Sequence, residues 1–466
     1  MINDNDRNNN EILKEFYNSL NNKILNVTKN KQEQIILENI SFPTLSTEQI
    51  KNEFLNYLNL LTSFKDITFK NCIFNTSNLD LPNTRVSFQN CQYLQPWIIS
   101  KIQQLNDASC ILFKNCKFQD DIIFNFDNMN NIDFFIFNNC DFNKKLCFKN
   151  IQFNQSIFKN TNENEKISLQ QLSINNCQFS EKFILNNLIA INLSIQNSEF
   201  AKKFELKNTY IKHVEFVNTN FHHTFDCYNS NYSTFFCSKC IFDNFAGFES
   251  CEFSKGIKSQ ESNSIPCFEY VTFLSFVNFR NSSFYNGLNL DLINLSGDAN
   301  FLNIYVDFTN TTHETYRIIK YSFDKVGDHV EANKFFTNEM KKYKAQLFND
   351  PKADKQERII FWLNEKMSNF GQSYLRPLIW MFVFSSFYGM ILYGYKENWI
   401  ASNFPTLSLY LNNFLIPLNF IAKNVMPFKG FEELKQGMEF ISLIFTAIFA
   451  SLTWQFIVAV KRHTRR

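Results

Sequence analysis

Any chemistry in this chain would fall to its cysteines, histidines and paired carboxylates. Cys237 and Cys240 stand in CSKC, a spacing at which two thiolates grip a zinc ion or exchange a disulfide. A zinc site built that way needs a second pair, and none follows at the required spacing. His222 and His223 are adjacent, so on a strand they point to opposite sides and cannot share a metal. Asp120 with Asp121, and Glu432 with Glu433, are isolated carboxylate pairs expected to be solvated. No nucleophile–base pattern, phosphate-cradling glycine loop or dinucleotide fingerprint accompanies them. With 10 glycines in 466 residues there is little material for such loops. The sequence therefore names no catalytic, cofactor-binding or metal-ligating residue, and a protein that is not an enzyme is expected.

Seven of the twelve cysteines, at 72, 91, 116, 140, 177, 240 and 251, share one local setting, Cys-x-Phe or Cys-x-Tyr. That setting belongs to a longer unit. FKNCIF from Phe69 returns as FQNCQY from Phe88, FKNCKF from Phe113, FNNCDF from Phe137 and FKNIQF from Phe148. INNCQF from Ile174, IQNSEF from Ile195, FVNTNF from Phe216 and FRNSSF from Phe279 complete nine copies. The steps from Ile174 to Ile195 and from Ile195 to Phe216 are equal, and several others are close to them in length. The last step, from Phe216 to Phe279, is three times as long as either. Within a copy the large residues stand five apart, as in Phe69, Phe74 and Leu79, or Phe148, Phe153 and Phe158. A five-residue beat inside a coil of about twenty gives four short sides per turn, too short a period for helical hairpin repeats. Parallel strands fed by one large residue per beat would stack Phe on Phe between coils. The neighbouring Asn could bond the turns or form a ladder along the axis. In such a wall a cysteine is small inward filler.

CIFNTSNLDL, residues 72–81, and ANFLN, residues 299–303, resemble the pentapeptide-repeat motif. The resemblance covers roughly residues 61–310 and implies a β-solenoid, a right-handed quadrilateral parallel β-helix. In it the large central residue and the small residue two before it both point inward. Gln95–Asp107 and Thr161–Lys166 fit poorly and are expected to bulge out as loops. Some soluble members of that family imitate DNA with an acidic surface. Here residues 61–310 carry 20 Lys and Arg against 23 Asp and Glu, too balanced a charge for a phosphate mimic. The chain's net charge is only +2, so no nucleic acid partner is expected.

The elements flanking the repeats can be read from periodicity. Residues 1–60 are polar, and MINDNDRNNNEILKEF lacks the apolar core of a secretory leader. Thr47–Leu61 sets Ile50, Phe54, Leu55, Leu58 and Leu61 on one helical face behind Thr47 as N-cap, a helical cap for the first coil. Residues 311–371 form a helical neck broken at Gly327, with Asp328 capping the next helix and an amphipathic helix over Asp354–Phe370. Residues 372–466 hold two uncharged runs, 378–395 and 440–460, each long enough to cross a bilayer. Arg376, Trp380, Tyr395, Lys461 and Arg462 flank them as interfacial anchors. Basic residues collect before the first run and in the terminal KRHTRR, while the loop at 396–439 balances four Lys with four Glu. The positive-inside rule then puts both termini in the cytoplasm, where thiols stay reduced.

The C-terminal third, with YRIIKYSFDKVGDHVEANKFF and KRHTRR, is similar to the tail of bacterial membrane-anchored pentapeptide-repeat proteins. The expectation is a scaffold tethered to the bacterial inner membrane, binding a protein partner through exposed Lys, Glu and Asn on the solenoid faces. Ser442, Thr446, Ala447, Ala450 and Ser451, with Ser385 and Gly389, are small enough for close helix packing within the hairpin or in a homo-oligomer. The alternative is an oligomeric, channel-like protein with the solenoid as cytosolic regulator and Phe404–Phe428 re-entering the bilayer.

Overall fold

A computed structural model describes residues 33–44, 64–79, 84–101, 110–159, 166–256, 265–396 and 438–464. It also describes residues 16–18, 20–22, 24, 61, 402–406, 409–410, 413–416 and 418. The chain divides into two compact units, Met1–Thr311 and Thr312–Arg466.

The first unit is a parallel β-solenoid, with about ten turns over residues 66–306 and paired strands ahead of them. Its strands are as short as two residues, one facing out and one in, as in Ile73–Phe74 and Lys117–Phe118. Four pairing ladders run along the coils between residues 167 and 253. Ile174 pairs with Ile195, Phe179 with Phe200, Phe204 with Phe225 and Tyr232 with Phe253. The step from coil to coil is the same in all four ladders, and the register Leu193↔Val214↔Phe235 advances by it twice.

What bends the chain so often is the asparagine. Asn71, Asn90, Asn115, Asn139, Asn150, Asn176, Asn187, Asn197, Asn208, Asn218, Asn229, Asn281 and Asn303 all have φ between +49° and +59°. That left-handed region is closed to most L-residues and more open to Asn, whose short amide bonds locally. Each such Asn turns the chain, and at many of these corners its N–H bonds a carbonyl of the next coil. Asn90 donates to the Lys114 carbonyl at 2.9 Å and Asn218 to the Ser238 carbonyl at 2.9 Å, each on the next coil. The side-chain amides also run as ladders. Asn139 donates to Asn115 at 3.0 Å, Asn115 to Asn90 at 3.2 Å and Asn90 to Asn71 at 3.2 Å.

Inside, the large residues form columns at roughly the spacing of neighbouring strands. Phe42, Phe74, Tyr93, Phe118 and Phe142 stack with ring centroids 4.5, 4.9, 4.5 and 5.6 Å apart. Phe153, Phe179, Phe200, Phe221, Phe242 and Phe273 form a second column, at 4.8, 4.5, 5.2, 4.9 and 5.0 Å. The two beats of one copy meet edge to face, Phe69 on Phe74 at 5.7 Å.

Several expectations need correction. The ladders begin before residue 61: Gln34–Glu38 and Ser41–Phe42, inside the segment expected to be helical, pair with Asp66–Lys70 and Ile73–Phe74. The helical residues described near the N-terminus lie earlier, where Phe16, Leu20 and Ile24 are buried and the Phe16 ring sits 5.1 Å from Phe42. Of the Thr47–Leu61 helix only Leu61 lies among the described residues. The long step from Phe216 to Phe279 is not three equal coils. Phe216 pairs with Cys237, but Cys237 pairs onward with Phe268 across a coil half as long again, and Phe279 stacks instead on Phe248 and Phe301. Part of the expected loop Gln95–Asp107 is a strand, Trp97–Ile99, paired with Ile122–Phe124. Residues 102–109 and 160–165 lie outside the described set. Leu79 is only half-buried, and Thr76 fills the interior there.

The second unit is helical: α1 His313–Lys325, α2 His329–Asn349, α3 Lys355–Ser368, α4 Leu375–Lys396 and α5 Glu439–Thr464. Gly327, at φ +82°, separates α1 from α2, and the Asp328 carboxylate caps α2 by accepting from the Glu331 N–H at 3.1 Å. Asp354 caps α3 in the same way, through Gln356 N–H at 3.0 Å. Both α4 and α5 are long and apolar enough to cross a membrane. The α5 side chains that are buried include Ser442, Phe445, Leu452 and Ala459, and Tyr388 of α4 packs its ring 4.6 Å from Phe445 while its hydroxyl meets Ser442 at 2.8 Å. Close packing within the hairpin therefore uses Tyr388, Ser442 and Phe445. Ser385, Gly389, Ala447, Ala450 and Ser451 are exposed.

Candidate functional site

The residues with chemical potential are spread along the solenoid wall, each held by its own coil. Seen in the wall, cysteine is a hydrogen-bond donor as well as filler. Cys72 Sγ donates to the Lys70 carbonyl at 3.4 Å and to Leu37 of the preceding coil at 3.4 Å; Cys91 repeats this with Gln89 at 3.3 Å and Phe69 at 3.5 Å. Ser198, Thr219 and Ser230 occupy the same place after a corner Asn and donate to the carbonyl two residues back, at 2.7, 3.0 and 3.2 Å. A corner Asn followed by Cys, Ser or Thr is thus a single device: the carbonyl before the corner accepts both the corner N–H of the preceding coil and the side chain two residues on, as at Lys70 (Asn39 N–H and Cys72 Sγ) and Val217 (Asn197 N–H and Thr219 Oγ1). Sequence reasoning took the cysteine as inert and missed this, although the alternation of Cys, Ser and Thr after Asn was the signal.

Burial pushes the thiols of Cys177 and Cys251 up to about 12. The thiolate is the reactive form, and at pH 8 it is present at about one part in ten thousand. Both are therefore expected to stay unmodified when the folded protein is treated with iodoacetamide and mapped by mass spectrometry, and to react fully in urea. Fast labelling in the folded state would contradict the packing described here. Cys237 and Cys240 are both buried.

His222 pairs through Nδ1 with Asp243, one coil on, at 2.7 Å, while His223 is exposed. Asp120 receives Lys144 Nζ at 2.7 Å, and Asp121 accepts the Lys145 N–H at 3.2 Å. Glu432 and Glu433 lie outside the described residues, as does most of Phe404–Phe428.

One charge cluster among the described residues of the wall is one the sequence did not single out. Glu205 keeps only 8% of its side chain exposed, between Lys203 at 2.5 Å and Lys207 at 2.8 Å; Lys207 also reaches Asp226 at 3.1 Å, and Asn186 donates to Glu205 at 3.3 Å. Burial alone would raise the Glu205 carboxyl, but the two ammonium groups outweigh it and hold it below the usual range. Glu205 raises Lys207 in turn, with Asp226 adding to the effect. The signs give opposite limits. The Glu205 contribution is complete above the unfolded glutamate value and is lost as pH falls through the depressed one. The Lys207 contribution is complete below the unfolded lysine value and is lost as pH rises through the elevated one. Glu205→Gln is expected to lower the urea midpoint at pH 7, with a smaller gap to the unmodified chain at pH 3. An equal gap at both pH values would show that the ion pairs are not the cause.

The second unit holds a different polar network, where the neck helices meet the basic end of α5. Gln455 of α5 accepts from Ser368 Oγ at 2.8 Å and donates to Asn364 at 2.9 Å, tying it to α3. Asn333 of α2 donates to the Arg462 carbonyl at 3.0 Å and accepts from Gln372 at 2.8 Å. The Arg462 guanidinium lies 4.4 Å from the centre of the Phe336 ring and donates to the Phe370 carbonyl. Gly371 has φ +80°, a conformation that favours glycine, and a Cβ there would stand 2.9 Å from that guanidinium. On the outer faces α3 exposes Ile359, Ile360, Trp362 and Leu363, α4 exposes Ile379, Phe382 and Met390, and α5 exposes Trp454 and Ile457.

No protein-family model, curated protein or solved structure matches the chain.

Proposed function

We propose that this chain is a non-enzymatic scaffold tethered to a membrane, built on pentapeptide repeats wound as a right-handed quadrilateral β-helix. The observation that carries the membrane part is the apolar surface of α3, α4 and α5. Side chains such as Phe382, 75% exposed, and Trp454, 66% exposed, line helices of membrane-spanning length. In water a surface of that kind would drive aggregation, whereas in lipid it is ordinary. The scaffold part rests on the solenoid itself. Its interior is filled by aromatic rings, so recognition falls to its outer wall, where Lys, Glu and Asn stand between the inward residues.

In this account the bilayer is the bacterial inner membrane, both termini and the solenoid face the cytoplasm, and a protein partner docks on the solenoid wall. Small exposed residues of α4 and α5 leave room for a homo-oligomer. Alkaline carbonate extraction of cell membranes tests the tether. The full chain is expected to stay with the membrane, and a chain ending at residue 371 is expected to be released. Release of both would remove the tether from the account. Crosslinking from the wall then tests the scaffold: a probe at Lys212, which is exposed, should capture a defined protein, and reproducible failure from all four sides would argue against docking there.

A further inference from the structure

The end of α5 leaves a cavity that the tether itself does not explain. A space of about 350 Å³ is lined by Lys320 and Asp324 of α1, His329, Asn333 and Phe336 of α2, and Val458, Lys461 and Arg462 of α5. Three of these side chains are permanent cations and one is an anion. Asp324 is already engaged, 3.7 Å from Lys320 and 3.3 Å from His329. Among the described residues neither Lys461 nor Arg462 forms an ion pair with a carboxylate.

The cations are also held in place. Phe336 carries two of them, with Lys320 Nζ at 5.4 Å and the Arg462 guanidinium at 4.4 Å from its ring centre. Arg462 is further fixed by its bond to the Phe370 carbonyl and by Asn333 on its own carbonyl. Like charges gathered on one ring repel, and an anion between them removes that cost. The guanidinium keeps further N–H donors beyond the one given to Phe370, in a planar fork suited to phosphate oxygens.

We propose that this cavity binds the phosphate of an anionic phospholipid headgroup. The lipid source is favoured by the wall at Val458, which continues into the apolar stretch of α5 while Lys461 and Arg462 mark its polar end. A cavity straddling that boundary matches a headgroup with its acyl chains running along the helix. The inference rests on the membrane reading above and adds a defined site to it.

Native mass spectrometry of the full-length chain in detergent tests the site. The chain is titrated with short-chain phosphatidylglycerol, with phosphatidylcholine of equal chain length, and with inorganic phosphate. Phosphatidylglycerol is expected to bind at one saturable site and phosphatidylcholine to bind much more weakly. Lys320→Gln combined with Lys461→Gln spares Arg462 and its role in the joint. It is expected to weaken phosphatidylglycerol about twenty-five-fold, about fivefold per cation. Lys352→Gln combined with Lys355→Gln removes the same charge elsewhere in the neck and is expected to leave binding unchanged. Equal weakening by both pairs would overturn the site in favour of general charge attraction, and no weakening by the first pair would overturn it outright. Inorganic phosphate binding as tightly as the lipid would overturn the lipid source. Carbonate release of the full chain would remove the membrane reading and this inference together, whereas retention with unaltered lipid binding in the first variant removes the inference alone.

Discussion

Phe221→Ala is expected to destabilise the solenoid by about 3–5 kcal/mol, the range for truncating a buried phenylalanine. Phe221 is 1% exposed and stacks on Phe200 at 5.2 Å and on Phe242 at 4.9 Å. Phe204, Phe216 and Phe225 meet it edge to face at 5.1, 5.9 and 4.8 Å. The substitution removes contacts with five rings on three coils, and neighbours anchored by their own backbone ladders have little freedom to collapse into the gap. Because each coil touches mainly its neighbours, the loss is expected to be local. Hydrogen exchange should accelerate most in strands 199–200, 220–221 and 241–242, with the coils near residue 70 less affected. Uniform acceleration along the chain would contradict nearest-neighbour stacking.

Asn218→Val is the second large effect, at about 2–3 kcal/mol, the sum of a backbone cost and a lost hydrogen bond. The position has φ +49°, where left-handed backbone costs an ordinary L-residue about 1–2 kcal/mol and a β-branched one more. It also loses the amide bond to Asn197, 2.9 Å long and worth about 1 kcal/mol. Asn218→Gly separates the two contributions, since glycine keeps the backbone and loses only the amide. Glycine is expected to cost about 1 kcal/mol or less in urea unfolding. If glycine and valine destabilise equally, the corner conformation is not what selects asparagine.

Which features were legible in the sequence follows from which interactions are local. Phe69 and Phe74, five residues apart, announced an inward beat because each beat repeats the same local geometry. The helix stop at Gly327, the cap at Asp328 and the start of a helix at Asp354 were readable for the same reason. Coil length was not. A corner can be made by Lys239, Ser250, Tyr270 or Leu292 as well as by Asn, and these positions also have positive φ. Once they replace Asn the repeat loses its spelling, and the long coil from Cys237 to Phe268 passes for part of a run of equal ones. The first coil hid in a similar way. Gln34–Glu38 has an alternating pattern too short to stand out, and only its pairing with Asp66–Lys70 defines it. The charge cluster at Glu205 and the cavity at Arg462 join residues from separate coils or helices. Their composition carries no periodic signal.

The central claim is that a cytoplasmic solenoid is held to a bilayer by α4 and α5. Its most direct measurement is cysteine-directed labelling of the full-length chain in intact cells and in inside-out membrane vesicles, using a membrane-impermeant maleimide. Single cysteines are introduced at Lys212, exposed on the solenoid wall, and at Lys429, which falls between the two helices in sequence. The account predicts that Lys429→Cys labels from outside intact cells and Lys212→Cys only in inverted vesicles. Labelling of both positions from the same side would contradict it.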